Sequence, residues 1–500
     1  MKGVVKVYPD GTVALRGVDF DVCRGEVHAL LGENGAGKTT LMKILAGMLK
    51  PTSGEILLEG RPVSFSSSAD ALRSGIGMVH QHPALVQTFT AYENIVLGLS
   101  SKRSSRARLE KLIEETGLSV PLDVPVSSLP LGVQQKVEIL KMLYRDVKVL
   151  ILDEPTTNLT PIETRELFRV LRRLKERGSA IIFISHKLRE VLEVADRITV
   201  LRRGAKVGTV AAKQATPQLL ARMMVGRDVE ISVKRVESKP GRELLAVRDL
   251  WVRSDAGTWA VKGVSFTVRA GEIFGIAGVE GNGQKELVEA IAGLRRVERG
   301  SVIIDGRDVT NRTPLEVYRA GLAHIPEDRQ RYGLVIEMSV AENSILGLHR
   351  SPRFLATSQR IRWRKVYSHA EEIIKRFEVQ VPSLKAKAKT LSGGNQQRLV
   401  VGRELSKSPK VILAVNPTRG LDVAATEYIR NLISGLRAEG AAVLLVSSDL
   451  DEVLQLSDRV AVMYKGSFMG VARPEELTEE EIGLMMGGYE LEKARQMVGA

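Results

Sequence analysis

A single cysteine, Cys23, stands among 500 residues. Internal disulfides, cysteine-rich metal sites and iron–sulfur clusters are thereby excluded, and the chain suits a reducing cytoplasm. Long apolar runs are missing too. The longest, such as Ala180 to Ile184 and Ala441 to Val446, have the length of a strand, and none could span a bilayer. The N-terminal MKGVVKVYPDG has no long apolar core followed by a small-residue cleavage site, so no secretory signal is evident. Acidic residues are in deficit, 59 against 73 Lys and Arg, for a formal net charge of +14. That balance suits an acidic partner such as nucleic acid, anionic lipid or an acidic protein face, and equally a charge-rich surface that keeps the protein soluble. The rest is ordinary globular composition, 44% hydrophobic and 26% charged, in a chain long enough for two or more domains.

What is present centres on GENGAGKT, Gly32 to Thr39, directly after the apolar run Val27 to Leu31 and before the helical pattern TLMKILAGML. Strand, glycine-rich loop and helix start are the context of a phosphate-binding P-loop. Gly32, Gly35 and Gly37 let the backbone wrap an anion, while the loop N–H groups, Asn34 among them, and the helix start supply partial positive charge. Lys38 can reach the β- and γ-phosphates, and Thr39, followed by Thr40, can ligate Mg²⁺.

The chain repeats itself. Adding 246 carries Gly25-Glu26 to Gly271-Glu272, Gly32 to Gly278, Gly37 to Gly283 and Gly47 to Gly293. The offset drifts to 249 at Glu342-Asn343 and settles at 262, where Gln134-Gln135 matches Gln396-Gln397 and Asp196-Arg197 matches Asp458-Arg459. The reading is a tandem duplication: a first copy over 1–226, a polar linker over 227–241 containing a Pro-Gly pair, a second copy over 242–488 and a tail over 489–500. Within each copy, β-rich strands are expected first, then the loop, then a helical insert (Pro83 to Asp146, Arg329 to Pro409), then buried strands alternating with helices in a mostly parallel sheet. The first copy begins almost at the point matching ELLAVRDLWVR of the second, so either its first strand is short or the true start lies upstream.

VLILDEP, Val149 to Pro155, is an apolar strand ending in two carboxylates. Asp153 is placed to hold a Mg²⁺ shell and Glu154 to orient and deprotonate an attacking water. Gln81 and His186 follow the apolar runs GIGMV and IIFIS; taken singly, each would be a satisfied surface group. Together with LSGGNQQR, Leu391 to Arg398, these residues resemble the ATP-binding-cassette ATPases, and the resemblance covers nearly all of both copies. It implies an α/β fold of two tandem cassettes, each a P-loop mixed-sheet core with an antiparallel β subdomain and a helical insert. It also implies ATP and Mg²⁺ as ligands, with Thr39, Gln81 and Asp153 around the metal, and Lys38, Gln81, Glu154 and His186 as catalytic groups.

In that family an ATP lies between the loop of one cassette and the signature motif of the other, so the defects sort by composite site. One site joins Lys38, Thr39, Gln81, Asp153, Glu154 and His186 to Ser392, Gly393, Gly394, Gln396 and Asp422, keeping every expected group. The other joins Gly278, Gly281, Gly283, Gln284, Lys285, Glu327, Val415, Asn416 and Ser448 to Pro130 and Gly132, and has lost its lysine, carboxylates, histidine and signature hydroxyl. Thr160 also replaces Asp422. Lys285 lies one step along the helix, about 100° round, and is expected to point away from the phosphates. The second loop keeps its glycines, so nucleotide binding without effective hydrolysis is expected there. Tyr8 could stack on adenine or simply pack; its positional equivalent is Ser254, with Trp251 and Trp259 nearby.

GNGQKELVEAIAG, IPEDRQRYGL, LSGGNQQRLVVGREL and VNPTRGLDV look like the duplicated ATPases of simple-sugar and nucleoside importers, and the loss of acids in VNPT leans to the nucleoside branch. The resemblance implies integral membrane permease subunits, an extracytoplasmic solute-binding protein acting indirectly, and a place on the cytoplasmic face of the membrane. Basic segments Ser101 to Arg108 and Gln359 to Tyr367 are expected near anionic lipid, or else are solvated helical faces. No nucleic acid partner is expected: cassette proteins of ribosomes or DNA carry long charged linkers, coiled-coil insertions or iron–sulfur regions, which are not visible here. A module without turnover is opposed by the intact first set of groups.

Overall fold

Val27, Ala29, Leu30 and Leu31 are fully buried, as a strand covered on both faces must be. A computed structural model places this strand at the centre of the first of two compact units, Met1–Ile231 and Ser232–Ala500. It describes all residues but Asn34, His82, 100–104, Asn158, 227–239, Ser358 and Ala500. Most of the linker read at 227–241 lies outside the described residues.

In the first unit, β1 (Lys2–Val7) and β2 (Val13–Val18) precede the buried β3 (Glu26–Gly32), and β4 (Ser53–Leu58) and β5 (Arg61–Val63) follow its loop and helix. These outer strands form an antiparallel sheet ordered β2-β1-β4-β5. The antiparallel strands therefore do not all come before the loop, as the sequence suggested. β4 comes back to pair β1, and the helix between them, Lys38–Leu45, buries Leu41, Met42 and Ile44 beneath Val4, Leu15 and Ile56 of that sheet. The larger sheet adds β6 (Ile76–Val79), β7 (Val149–Asp153), β8 (Ala180–Ser185), β9 (Arg197–Arg202) and β10 (Ala205–Ala211), in the order β10-β9-β3-β8-β7-β6. All pairs are parallel except β10 with β9. The helical segment between β6 and β7 contains Ala91–Val96, Arg106–Thr116 and Leu131–Leu143.

The second unit repeats this plan with β11 (Glu243–Arg253), β12 (Trp259–Arg269), β13 (Ile273–Ala277), β14 (Val297–Ile304), β15 (Arg307–Asp308), β16 (Leu322–Ile325), β17 (Val411–Val415), β18 (Ala442–Val446), β19 (Arg459–Tyr464) and β20 (Ser467–Ala472). Its sheets run β12-β11-β14-β15 and β16-β17-β18-β13-β19-β20, the same orders element for element. β11 and β12 have 11 residues each where β1 and β2 have 6. The helical segment holds Val340–Ser344, Trp363–Arg376 and Gly393–Leu405, preceded by a π-helical turn at Arg329–Gly333.

The tail read at 489–500 is corrected. Leu491–Val498 is a helix whose Ala494 is fully buried in a cluster with Ile482, Met485 and Met486, and Leu491 packs against that cluster three residues earlier. Among the described residues no helix is long and apolar enough to cross a membrane.

Candidate active site

Parallel register decides where the polar groups meet. Leu31 of β3 is level with Ser185 of β8, Ile184 of β8 with Asp153 of β7, and Leu152 of β7 with Val79 of β6. The carboxyl ends of these four strands thus form one edge, where open parallel sheets present ligand sites. The glycine loop leaves β3, Asp153-Glu154 ends β7, His186 follows β8, and Gln81 follows β6.

The loop is shaped by Gly35 (φ 82°) and Gly37 (φ 101°), in a region that side chains avoid; a Cβ on Gly37 would meet the Ala14 carbonyl at 2.7 Å. Asn34 lies outside the described residues. Lys38 opens the helix, is buried, and donates to the carbonyls of Gly32 at 2.6 Å and Glu33 at 3.1 Å. Burial pushes its ammonium below the usual lysine value, against the opposing pull of Glu154, Asp153 and Glu33. The Thr39 hydroxyl donates to Asp153 at 3.3 Å. Burial, then the neighbouring Glu154 charge, raise the Asp153 carboxyl above the ordinary aspartate value. A hydroxyl and a carboxylate converging beside a phosphate loop are the hard oxygen donors that suit Mg²⁺. The Tyr8 phenol lies 3.2 Å from the Thr40 hydroxyl, which sets its ring beside the start of the loop helix.

Glu154 is the pivot. Its φ of 48° is unusual for a residue with a side chain, and its amide donates to the Ile184 carbonyl of β8, so the turn after β7 is locked to the neighbouring strand. One carboxylate oxygen accepts from the Gln81 amide at 2.9 Å and the other lies 2.9 Å from His186 Nδ1. Burial pushes this carboxyl up, but the His186 hydrogen bond and charge, with Lys38 and Lys187, outweigh it and hold Glu154 below the ordinary glutamate value. An ionised, oriented carboxylate can position a water and take its proton.

Two supports were not read from the sequence. Glu190 accepts from the Thr156 hydroxyl at 2.6 Å and from the Ser185 hydroxyl at 3.4 Å, tying the turn that carries Glu154 to the one that carries His186. Glu138 accepts from the amides of His80 and Ala84, holding the segment around Gln81 onto the helix Leu131–Leu143. An acid among Val137, Ile139 and Leu140, all buried, was the signal available for Glu138.

The second unit keeps the backbone and changes the chemistry. Gly281 (φ 91°) and Gly283 (φ 104°) reproduce the loop, and the Asn416 amide donates to Val446 as Glu154 does to Ile184. Gln284 donates to the Val279 carbonyl at 3.0 Å, the bond Lys38 makes to Glu33. Lys285 turns outward, exposed, 3.8 Å from Glu289. Asn416 accepts from the Ser448 amide and hydroxyl, so the Glu154–His186 pair is replaced as a pair by neutral groups. With Lys285 at the position of Thr39 and Val415 at that of Asp153, this edge does not fit Mg²⁺.

The two signature segments differ in charge as well as in sequence. Ser392 caps the helix Gly393–Leu405, accepting from Asn395 and keeping its own O–H proton to donate. The Arg329 guanidinium lies against Gly393, close enough that a Cβ there would meet it at 2.6 Å. In the first unit Pro130 caps nothing, Leu131 stands for Gly393, and the Glu163 carboxylate lies 3.0 Å from where a Gly132 Cβ would be. Gln396, expected to touch nucleotide, is buried and hydrogen-bonded to the Ala388 carbonyl and Gln330, as Gln134 is to Leu129, so it is a packing group of its own unit. Asp422 caps its helix through the Ala425 amide, the task Thr160 performs through Glu163.

If His186 keeps Glu154 ionised, His186→Ala removes the second-largest influence and leaves burial unopposed by it. The acid limb of the ATPase pH profile (kcat/KM) should then move to higher pH; a limb that stays in place would show that His186 does not set this carboxyl.

A model of the ABC transporter family matches residues 15–157 and 261–419, one span in each unit. The chain is similar to the nucleoside import ATP-binding protein NupA of Lactococcus lactis subsp. cremoris, 44% identical over 478 residues and 94% of each chain. It is equally similar to the ribose import ATP-binding protein RbsA 1 of Rubrobacter xylanophilus, 44% identical over 498 residues and 98% of each. Among solved structures it shares the fold of the archaeal ribosome recycling factor aABCE1, crystallised with the stalk protein aP1, at a TM-score of 0.65 and 21% identity over 97% of this chain and 92% of that one. With two cassettes of one topology, a glycine-rich loop in each and a family match in both, the chain belongs to the ABC transporter family as an ATPase.

Proposed function

We propose that this chain is the ATP-hydrolysing subunit of an importer for nucleosides or related simple sugars, with one competent site and one degenerate site. The observation that carries this is the Glu154 carboxylate held between Gln81 and His186, against Asn416, Ser448 and Glu327 at the matching positions. In this reading the competent centre is built on the loop and acids of the first unit. Mg²⁺, held by Thr39 and Asp153 with Gln81 nearby, would neutralise charge on the β- and γ-phosphate oxygens. Lys38 leaves its loop carbonyls for the phosphates, Tyr8 offers a ring to the base, and Glu154 orients the attacking water and accepts its proton.

Relatives named for nucleoside and for ribose import stand at the same 44% identity, which supports the importer class and gives neither solute preference. The lost acids of VNPT lean to nucleosides. The transported solute is recognised by membrane permease subunits and an extracytoplasmic binding protein, and the chain works at the cytoplasmic face of the membrane. ATP binding shifts a conformational equilibrium that hydrolysis resets, and the helical segments pass that shift to the permease.

Lipid contact is narrowed to the second basic segment. Ser101 to Ser104 of the first lie outside the described residues, and its Arg106 and Arg108 pair with Asp123 and Asp146 at 2.7 and 2.6 Å. Arg362, Trp363, Arg364 and Lys365 are instead exposed together at a helix start. Replacing Arg362, Arg364 and Lys365 by Ser should weaken binding to anionic vesicles and leave neutral ones unaffected; equal binding to both before and after would refute the contact.

With the permease subunits present, Glu154→Gln should abolish steady-state ATP hydrolysis, while Asn416→Glu should change it little. A rate that only halves on Glu154→Gln would defeat the single-site reading.

A further inference from the structure

We infer that the second unit's loop takes its nucleotide without a divalent cation, using Arg419 as the counter-charge. This rests on the ATPase reading above and extends it to the loop that lacks the metal-binding groups.

Three positions that offer oxygen to a metal in the first unit, Thr39, Gln81 and Asp153, are Lys285, Glu327 and Val415 in the second. Val415 has no donor, Lys285 brings a positive charge, and Glu327 is engaged elsewhere. The first unit's hydroxyl and aspartate ligands are therefore absent at this edge, and the carboxylates present, Glu280 and Glu327, are held by a guanidinium in place of a metal. The cradle is kept: Gly281 and Gly283 hold the φ values of Gly35 and Gly37 to within about 10°, and the helix Gln284–Ile291 starts where Lys38–Leu45 does.

One cation has been gained. Arg419 stands at the position of Thr157, in the turn just after Asn416. Its Nη1 lies 2.9 Å from Glu280, at the apex of the glycine loop, and pairs also with Glu327, at the position of Gln81. Glu280 itself replaces Asn34. The guanidinium is thus tethered between the phosphate loop and the segment that would face a γ-phosphate. All three side chains are more than one-third exposed, and ion pairs so exposed contribute little net free energy, so Arg419 can exchange a carboxylate for a phosphate without a large penalty. Its fork is suited to two phosphate oxygens at once. Glu280 and Glu327 hold the guanidinium beside the loop and compete with an incoming anion.

The experiment is equilibrium dialysis of ATP against the purified full chain, in excess EDTA and in Mg²⁺. In EDTA the wild type should bind about one ATP per chain. Lys38→Ala should retain that site, because it belongs to the other loop. Arg419→Ala should lower its affinity about tenfold or more, Arg419→Lys should preserve most of it, and Glu280→Gln should strengthen it. Matching thermal unfolding of Arg419→Ala and wild type separates lost binding from lost folding. Binding in EDTA that disappears in Lys38→Ala and persists in Arg419→Ala would overturn the inference while leaving the ATPase reading intact. So would a second site in Lys38→Ala that appears only with Mg²⁺. A chain that binds no ATP even in Mg²⁺ would overturn the ATPase reading itself.

Discussion

The Glu154 carboxylate, clamped between the Gln81 amide and the His186 ring, is where the fold of the first unit becomes chemistry. Partial burial favours the protonated form of a carboxylate, and a protonated one cannot accept another proton. The His186 hydrogen bond and charge, with Lys38 and Lys187, outweigh that here, and Gln81 and His186 reach Glu154 because β6, β7 and β8 end level with one another. Glu190 and Glu138 fix the turns that carry these groups, one joining the Glu154 and His186 turns and the other pinning the Gln81 segment. The convergence of these groups at one edge is thus a consequence of register first and of side chains second.

The second unit keeps the same edge with different side chains. Its sheets keep the same strand order, its loop keeps the same backbone, and its turn after β17 keeps the same positive φ, at Asn416. Packing holds these features in place, since the strands involved are buried on both faces. The charged groups, which cost free energy to bury, are the ones replaced. Asn416 and Ser448 satisfy each other, Gln284 satisfies the loop carbonyl, and Arg419 enters with Glu280 and Glu327. The signature segments divide in the complementary sense, with a guanidinium beside Gly393 and a carboxylate beside Gly132.

Most of this architecture was legible in the chain. The duplication, the loops, the buried strands and the acids at their ends are all local patterns, and Gln81, Lys38, Asp153, Glu154 and His186 do come to one edge. Several features were not legible because they depend on pairing between distant segments. That β4 returns across the loop to β1 is a matter of sheet pairing, which no window of sequence contains. Gln396 was read as a ligand group from its motif, yet its amide is consumed inside its own unit. The final helix was missed because the short spacing of Leu491 and Ala494 looks like a tail until Ile482 and Met485 supply a surface for it. Arg419 was invisible for a similar reason: its two carboxylates lie 139 and 92 residues upstream, and only the folded loop brings them together.

The asymmetry of the two units is the central claim, and the most direct test counts products rather than rates. Turnover in the presence of permease subunits is arrested with orthovanadate, and the ADP retained per chain is measured. The account predicts one ADP per chain, held at the loop that contains Lys38. Two ADP per chain would mean that the second unit also hydrolyses, and would contradict it.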